Sequence, residues 1–231
     1  MRLCTVGYDR SNISALNKGV STMANSAAAD DSGHGSSTSG DEYAQRLRRL
    51  DESRWRRVLN VQAPYRWNIR RLRLGRTLDI GCGLGRNLAH LGGNGVGVDH
   101  NAASIKIARQ RGLNAFTTEE FLASAEAQTA SFDSLLLAHV IEHLSEDFAR
   151  ELLSDYLRYL KPGGKVCLIT PQERGYATDA THVTFTDFAM LAALCTQLGL
   201  HELRHYSFPF PRAAGKLFPY NEFVLVATKP A

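Results

Sequence analysis

The run Leu78-Asp-Ile-Gly-Cys-Gly-Leu-Gly-Arg-Asn87, answered by Val96-Gly-Val-Asp99, constrains this chain more than any other segment. A short apolar strand meets glycines at three alternate positions, Gly81, Gly83 and Gly85. A helix follows, and a second strand ends in an acid 20 residues after Asp79. Glycine at a strand-to-helix turn lets the backbone approach a ligand closely, and the helix N-terminus adds unpaired N–H groups. Asp99 is placed to accept both hydroxyls of a ribose. The spacing is G-x-G-x-G preceded by an acid, not the G-x-G-x-x-G of dinucleotide sites. Asp79 would repel a pyrophosphate but suits an ammonium group, so these residues point to a ligand with a ribose and a positive charge. A purely structural glycine turn is the alternative.

S-adenosylmethionine carries both features, and the chain here resembles the class I S-adenosylmethionine-dependent methyltransferases. Phe132-Asp-Ser-Leu-Leu-Leu137 as a fourth strand and Leu160-Lys-Pro-Gly-Gly-Lys-Val166 as the turn into a fifth agree with it, and the likeness runs from about residue 75 to 230. It implies an α/β fold: a Rossmann-like, seven-stranded, mostly parallel sheet with an antiparallel C-terminal strand pair and helices on both faces. It also assigns Asp79, Gly81, Gly83, Gly85 and Asp99 to the cofactor. His100, just past Asp99, is expected near the adenosine, and Thr118 and Glu119 near the adenine. His139 is expected at the cofactor's edge.

With 231 residues, 44% apolar and 22% charged, the chain reads as a globular domain with extras. No apolar run approaches the roughly 18 residues that cross a bilayer, and no signal-peptide core is visible. The expectation is a cytoplasmic protein without membrane insertion. Cys4, Cys82, Cys167 and Cys195 lack C-x-x-C spacing, which argues against a disulfide framework and a thiolate zinc site. Residues 46–76 hold eleven arginines against two acids, Asp51 and Glu52. Such a block either attracts a polyanion, nucleic acid included, or forms solvated helix faces.

Residues 1–40, rich in Ser, Ala, Gly and Asn, are expected to be disordered, with Met23 a candidate initiator. Residues 41–74 form an expected helical extension, with helices over 41–60 and 63–73, and 75–231 the methyltransferase domain. Within it, strands are expected at 77–80, 95–98, 114–116, 131–137, 165–170, 201–207 and 222–227. Helices are expected at 102–110, 146–159 and 186–197. The Pro- and Gly-rich stretch 208–220 reads as a loop that covers the substrate, where Arg212 and Lys216 meet an anion or solvent.

Ligands of open α/β sheets bind beyond the carboxyl ends of the strands. After the fourth strand comes Ala138-His-Val-Ile-Glu-His-Leu144, and after the fifth the segment 171–185, with His182. If the first segment turns helically, His139, Glu142 and His143 share a face. Three imidazoles and a carboxylate suit zinc, manganese, iron or cobalt. The pattern is similar to that of small-RNA 3′-terminal 2′-O-methyltransferases and ubiquinone-pathway O-methyltransferases, with His139 in place of their first Glu. The resemblance thus implies His139, Glu142, His143 and His182 as metal ligands. Without metal, His143 or His182 is the natural general base.

Either version leads to O-methylation of a small-molecule or glycan hydroxyl. The runner-up is an RNA 2′-O-methyltransferase, drawing on the arginine block. A third reading is a non-catalytic cofactor-binding scaffold. Tyr65, Arg66 and Trp67 either close over the cofactor or pack in the core.

Overall fold

The computed structural model describes residues 62–231. The expected disorder of 1–40, the helix over 41–60, Met23, Cys4 and most of the arginine block lie outside the described residues. Helix α1 (Ala63–Arg71) enters with Pro64 in its first turn, and its apolar side continues into Leu72 and Leu74. The alternation then runs β1 (Thr77–Ile80), α2 (Arg86–His90), β2 (Gly95–Asp99), α3 (Ala102–Gln110), β3 (Ala115–Thr117), α4 (Thr118–Ala123) and β4 (Phe132–Ala138). A 3₁₀ turn (Ile141–His143) leads to α5 (Glu146–Tyr156), β5 (Leu160–Pro171), α6 (Glu173–Tyr176), α7 (Phe188–Gln197), β6 (His201–Phe208) and β7 (Glu222–Thr228).

The seven strands form one sheet in the order β3-β2-β1-β4-β5-β7-β6. β1 pairs in parallel with β2 and β4, and β4 with β5, while β7 runs antiparallel to both β5 and β6. The fold class is the one the resemblance implies. Chain order reverses between β1 and β4, so their carboxyl ends open the crevice where such sheets bind ligands.

The centre of the sheet is mostly apolar because helices cover both faces: Leu78, Leu135, Leu136, Leu137, Val166 and Leu168 are all buried. Ile69, Leu72 and Leu74 pack on Leu136, Cys167, Ile169, Val224 and Val226. Local chemistry sets the helix ends. Asn101 accepts from the Ser104 N–H at the start of α3, and Asp187 from Met190 at the start of α7. Gly112, at φ +75°, turns the chain out of α3. Helices α4 and α6 were not expected; Thr117 and Glu120 form a capping box that starts α4 directly after β3. Among the described residues no helix is long and apolar enough to cross a membrane.

Candidate functional site

The glycine turn leaves β1 at the centre of the sheet. Gly81, Gly83 and Gly85 all have positive φ. A Cβ on Gly81 would lie 2.5 Å from Val140 Cγ2, and one on Gly85 2.3 Å from Leu113 Cδ1. At Gly83 a Cβ would meet nothing within 4 Å. Two glycines are therefore required by the protein's own packing, and the third faces open space. Four amides of the turn are engaged within the protein: Gly81 and Cys82 donate to Val98 O, Gly83 to Asp99 Oδ2 and Gly85 to Cys82 O.

Asp79 and Asp99 flank this turn. Asp79 is buried, and its Oδ2 has no hydrogen-bond partner. Burial, and then the neighbouring Asp99 carboxylate, push its pKa up to about 8. An unpartnered buried carboxyl beside a second acid is a receptor for a cation, so the residues fit the ammonium end of S-adenosylmethionine. Asp99 accepts from Gly83 N on one oxygen and from Asn101 N on the other, each at 2.8 Å. Each oxygen keeps a second lone pair for a ribose hydroxyl.

The expected adenine contacts are placed less directly. His100 is exposed, with Nδ1 3.5 Å from Asp99 Oδ1. Thr118 is buried and hydrogen-bonded to Tyr156, whereas Glu119 is exposed in the first turn of α4.

Across the crevice, Glu142, His143 and His182 converge, one ligand atom from each lying within 4.8 Å of the others. Glu142 is fully buried, and its Oε2 has no partner. Its backbone carbonyl accepts from Val183 N at 2.8 Å and Thr184 N at 3.1 Å, which stitches the segment after β4 to the segment after β5. The imidazoles of His143 and His182 lie 4.7 Å apart, centre to centre, and Tyr176 stacks on His182 at 5.1 Å. His182 Nδ1 is 2.7 Å from Tyr176 O, and His143 Nδ1 is 3.2 Å from Thr181 O. A carbonyl only accepts, so Nδ1 of each ring carries a proton, and in the neutral tautomer the lone pair is on Nε2. Asp179 lies beside this pair. Burial alone would raise its pKa, but hydrogen bonds from Thr181 and the nearby histidines hold it below the usual carboxylate range.

His139 departs from the expected set of four. It precedes the 3₁₀ turn at φ +61°, so it does not share a helical face with Glu142 and His143. Its Nδ1 lies 3.2 Å from Glu142 Oε1 and its Nε2 2.9 Å from Glu222 Oε1, so neither nitrogen is left for a metal. Burial works against its charge, yet the two carboxylates outweigh burial and raise its pKa to about 10. His139 is thus an imidazolium clamp on Glu142 Oε1, which leaves the buried Oε2 as the carboxylate oxygen without a partner.

Glu222 escaped the sequence reading. Its signal was there, in an acid that opens the otherwise apolar strand Phe-Val-Leu-Val-Ala. Arg212, expected to meet an anion or solvent, is paired with Glu173 and lies over Phe223. Trp67 is not core but exposed, stacked between Phe208 and the Arg71 guanidinium. Tyr65 donates to Tyr220 O at 2.6 Å and ties α1 to the loop between β6 and β7. Asn221 anchors the end of that loop to Gln172 and Ser207.

Residues 45–219 match a family model described as a methyltransferase domain. The ubiquinone biosynthesis O-methyltransferase of Chelativorans sp. (strain BNC1) is 37% identical over 103 residues, which is 41% of this chain and 40% of that protein. The enzyme of the same description from Hahella chejuensis is 33% identical over 105 residues, 41% of this chain and 42% of that one. The match thus spans about two fifths of the length of these curated relatives. A solved S-adenosylmethionine-dependent methyltransferase from Archaeoglobus fulgidus superposes with a TM-score of 0.58 at 19% identity, covering 71% of this chain and 93% of that one.

Proposed function

The chain belongs to the methyltransferase-domain family, and on that premise we propose that it moves a methyl group from S-adenosylmethionine to a hydroxyl oxygen of a small molecule. The observation that carries this reading is the convergence of Glu142, His143 and His182 beside an intact glycine turn. Bound S-adenosylmethionine supplies an electrophilic methyl on a sulfonium sulfur. Asp79 holds its ammonium, Asp99 its ribose, and Gly83 lets it approach.

On the acceptor side, a hydroxyl is a poor nucleophile until its proton is drawn away. The Nε2 of His143 or His182 accepts that proton as the oxygen attacks. The C–S bond breaks while the O–CH₃ bond forms, which leaves S-adenosylhomocysteine and a methyl ether. The protein's further contribution is distance and alignment. Two imidazoles and one unpartnered carboxylate oxygen also suit a divalent ion such as zinc, manganese, iron or cobalt. The buried, unpartnered Glu142 Oε2 fits such an ion, which would supply Lewis acidity toward the hydroxyl.

The rim favours an acceptor with an apolar body over a glycan. Of the seven large apolar side chains exposed among the described residues, five sit on the two loops beside the site: Val183, Phe185, Phe210, Leu217 and Tyr220. The O-methyltransferase relatives agree with a hydroxyl acceptor.

The test is methyl transfer from labelled S-adenosylmethionine to catechols, alkyl phenols, sugars and a short RNA, with elemental analysis of the purified protein. Labelled methyl ethers of the catechols or phenols are expected. Label found only in the terminal ribose of the RNA, or only on nitrogen, overturns the reading.

A further inference from the structure

We infer that Asp179 is a positioning residue, folding the turn from Tyr176 to His182 so that two backbone carbonyls fix both site histidines with their Nε2 lone pairs free. The inference rests on the acceptor-side reading above, but it concerns where protons sit on the rings, which is measurable without any substrate.

Asp179 is exposed, and nothing in the packing of the sheet calls for an acid there. Its side chain nonetheless works inward along the loop. Oδ1 accepts from Thr181 N at 3.0 Å and from Thr181 Oγ1 at 2.8 Å. Its backbone carbonyl accepts from His182 N at 3.3 Å. These three bonds close the turn and bring two carbonyl oxygens, of Tyr176 and Thr181, to face two different imidazoles.

The Thr181 hydroxyl adds a further link. Its proton is committed to Asp179, so its oxygen is an acceptor toward His143 Nδ1, 3.2 Å away. His143 Nδ1–H is thereby shared between the carbonyl and the hydroxyl of one residue, and that residue is held by Asp179. The far end of the loop is pinned by the Glu142 carbonyl, which takes Val183 N and Thr184 N. One turn therefore sets the proton placement of His182 from its start and of His143 from its end. Outer hydrogen bonds of this kind orient the ring and select its tautomer, and their loss commonly costs 10–100-fold in metal affinity or activity.

The two explanations of Asp179, geometry and charge, separate cleanly. Asparagine keeps an oxygen that accepts both Thr181 bonds and discards the charge, whereas alanine discards both. The experiment is ¹⁵N spectroscopy of the imidazole rings in the protein without cofactor or added metal. It runs alongside binding of S-adenosylmethionine and turnover of whichever acceptor the panel identifies.

Wild type is expected to hold His143 and His182 with the proton on Nδ1. Asp179→Ala shifts both rings toward the Nε2-protonated form and lowers kcat about 10–100-fold, with cofactor affinity unchanged. Asp179→Asn keeps the wild-type ring signals. Should Asp179→Ala fail to fold, Thr181→Val is expected to give a partial shift confined to His143, and Thr181→Ser to abolish that shift. Unchanged ring signals in Asp179→Ala or Thr181→Val overturn the inference. So does an Asp179→Asn variant as altered as the alanine, because charge would then be the operative property. Ring protons that move while turnover stays at the wild-type level uphold the inference and remove the histidines from the acceptor-side chemistry.

Discussion

The most direct test of the cofactor side is a proton count on Asp79. In the cofactor-free protein this carboxyl has a pKa of about 8, raised from 3.8 by burial and by Asp99. At pH 7 only about one molecule in ten therefore carries the charge, and each pH unit below 8 divides that fraction by ten. Pairing with an ammonium group requires the charged form, so binding S-adenosylmethionine must expel the proton. Affinity is then expected to rise about tenfold, or about 1.4 kcal/mol, between pH 6 and pH 7. Calorimetry in two buffers of different ionisation enthalpy should count close to one proton released at pH 7.

Asp79→Asn should abolish the release and weaken binding by about 10–100-fold near pH 8, the loss of one charged hydrogen bond of about 1.5–3 kcal/mol. The same substitution alters the pH dependence of folding. Because the folded protein holds the Asp79 proton more tightly than the unfolded chain does, stability without cofactor falls as pH rises from 3.8 toward 8. By pH 7 that cost is on the order of 4 kcal/mol. Urea melts of Asp79→Asn should lack this downward slope. Binding that does not change between pH 6 and pH 7, with no proton released, would refute the argument. An asparagine variant that binds like wild type would do the same.

The remaining predictions concern the glycines and the acceptor side. Gly81→Ala and Gly85→Ala place a methyl 2.5 Å from Val140 and 2.3 Å from Leu113 at positive φ, so each should lose about 2–5 kcal/mol in urea melts. Gly83→Ala meets open space. It should cost only about 1–2 kcal/mol of stability while weakening the cofactor in calorimetry; wild-type affinity would mean the cofactor does not pass there. Glu142→Ala and His182→Ala should abolish turnover in the methyl-transfer assay and leave cofactor affinity nearly intact. Retained activity in both would end the acceptor-side proposal.

The sheet was legible because its evidence is local. Leu78-Asp-Ile and Phe-Asp-Ser-Leu-Leu-Leu137 are short apolar runs next to turn residues, and period and punctuation are read directly from the chain. The site was legible only in part. Glu142, His143 and His182 could be named because two of them are adjacent and the third follows the neighbouring strand. His139 was misplaced because its partner is far off in sequence: Glu222 lies 83 residues away and meets it only through the β5–β7 pairing. The left-handed backbone at His139, which takes it off the helical face, is uncommon in any residue but glycine, so the sequence alone does not place it. Arg212 was hard to place for the same reason, since its partner Glu173, at the start of α6, lies 39 residues earlier in the chain.

The exchange of an acid for His139 reshapes the chemistry more than a ligand swap would. A glutamate at this position would add negative charge beside Glu142 and Glu222. An imidazolium instead neutralises part of that charge and occupies Glu142 Oε1. The proposed acceptor side is then left with one carboxylate oxygen and two imidazole nitrogens, a softer set than one built on two acids. The same short segment also packs on the glycine turn, because Val140, next to His139, closes against Gly81. A direct methyl transfer needs the attacking oxygen in line with the methyl carbon and within about 3–3.5 Å, so on the proposed reading the acceptor must enter beside this segment rather than across it.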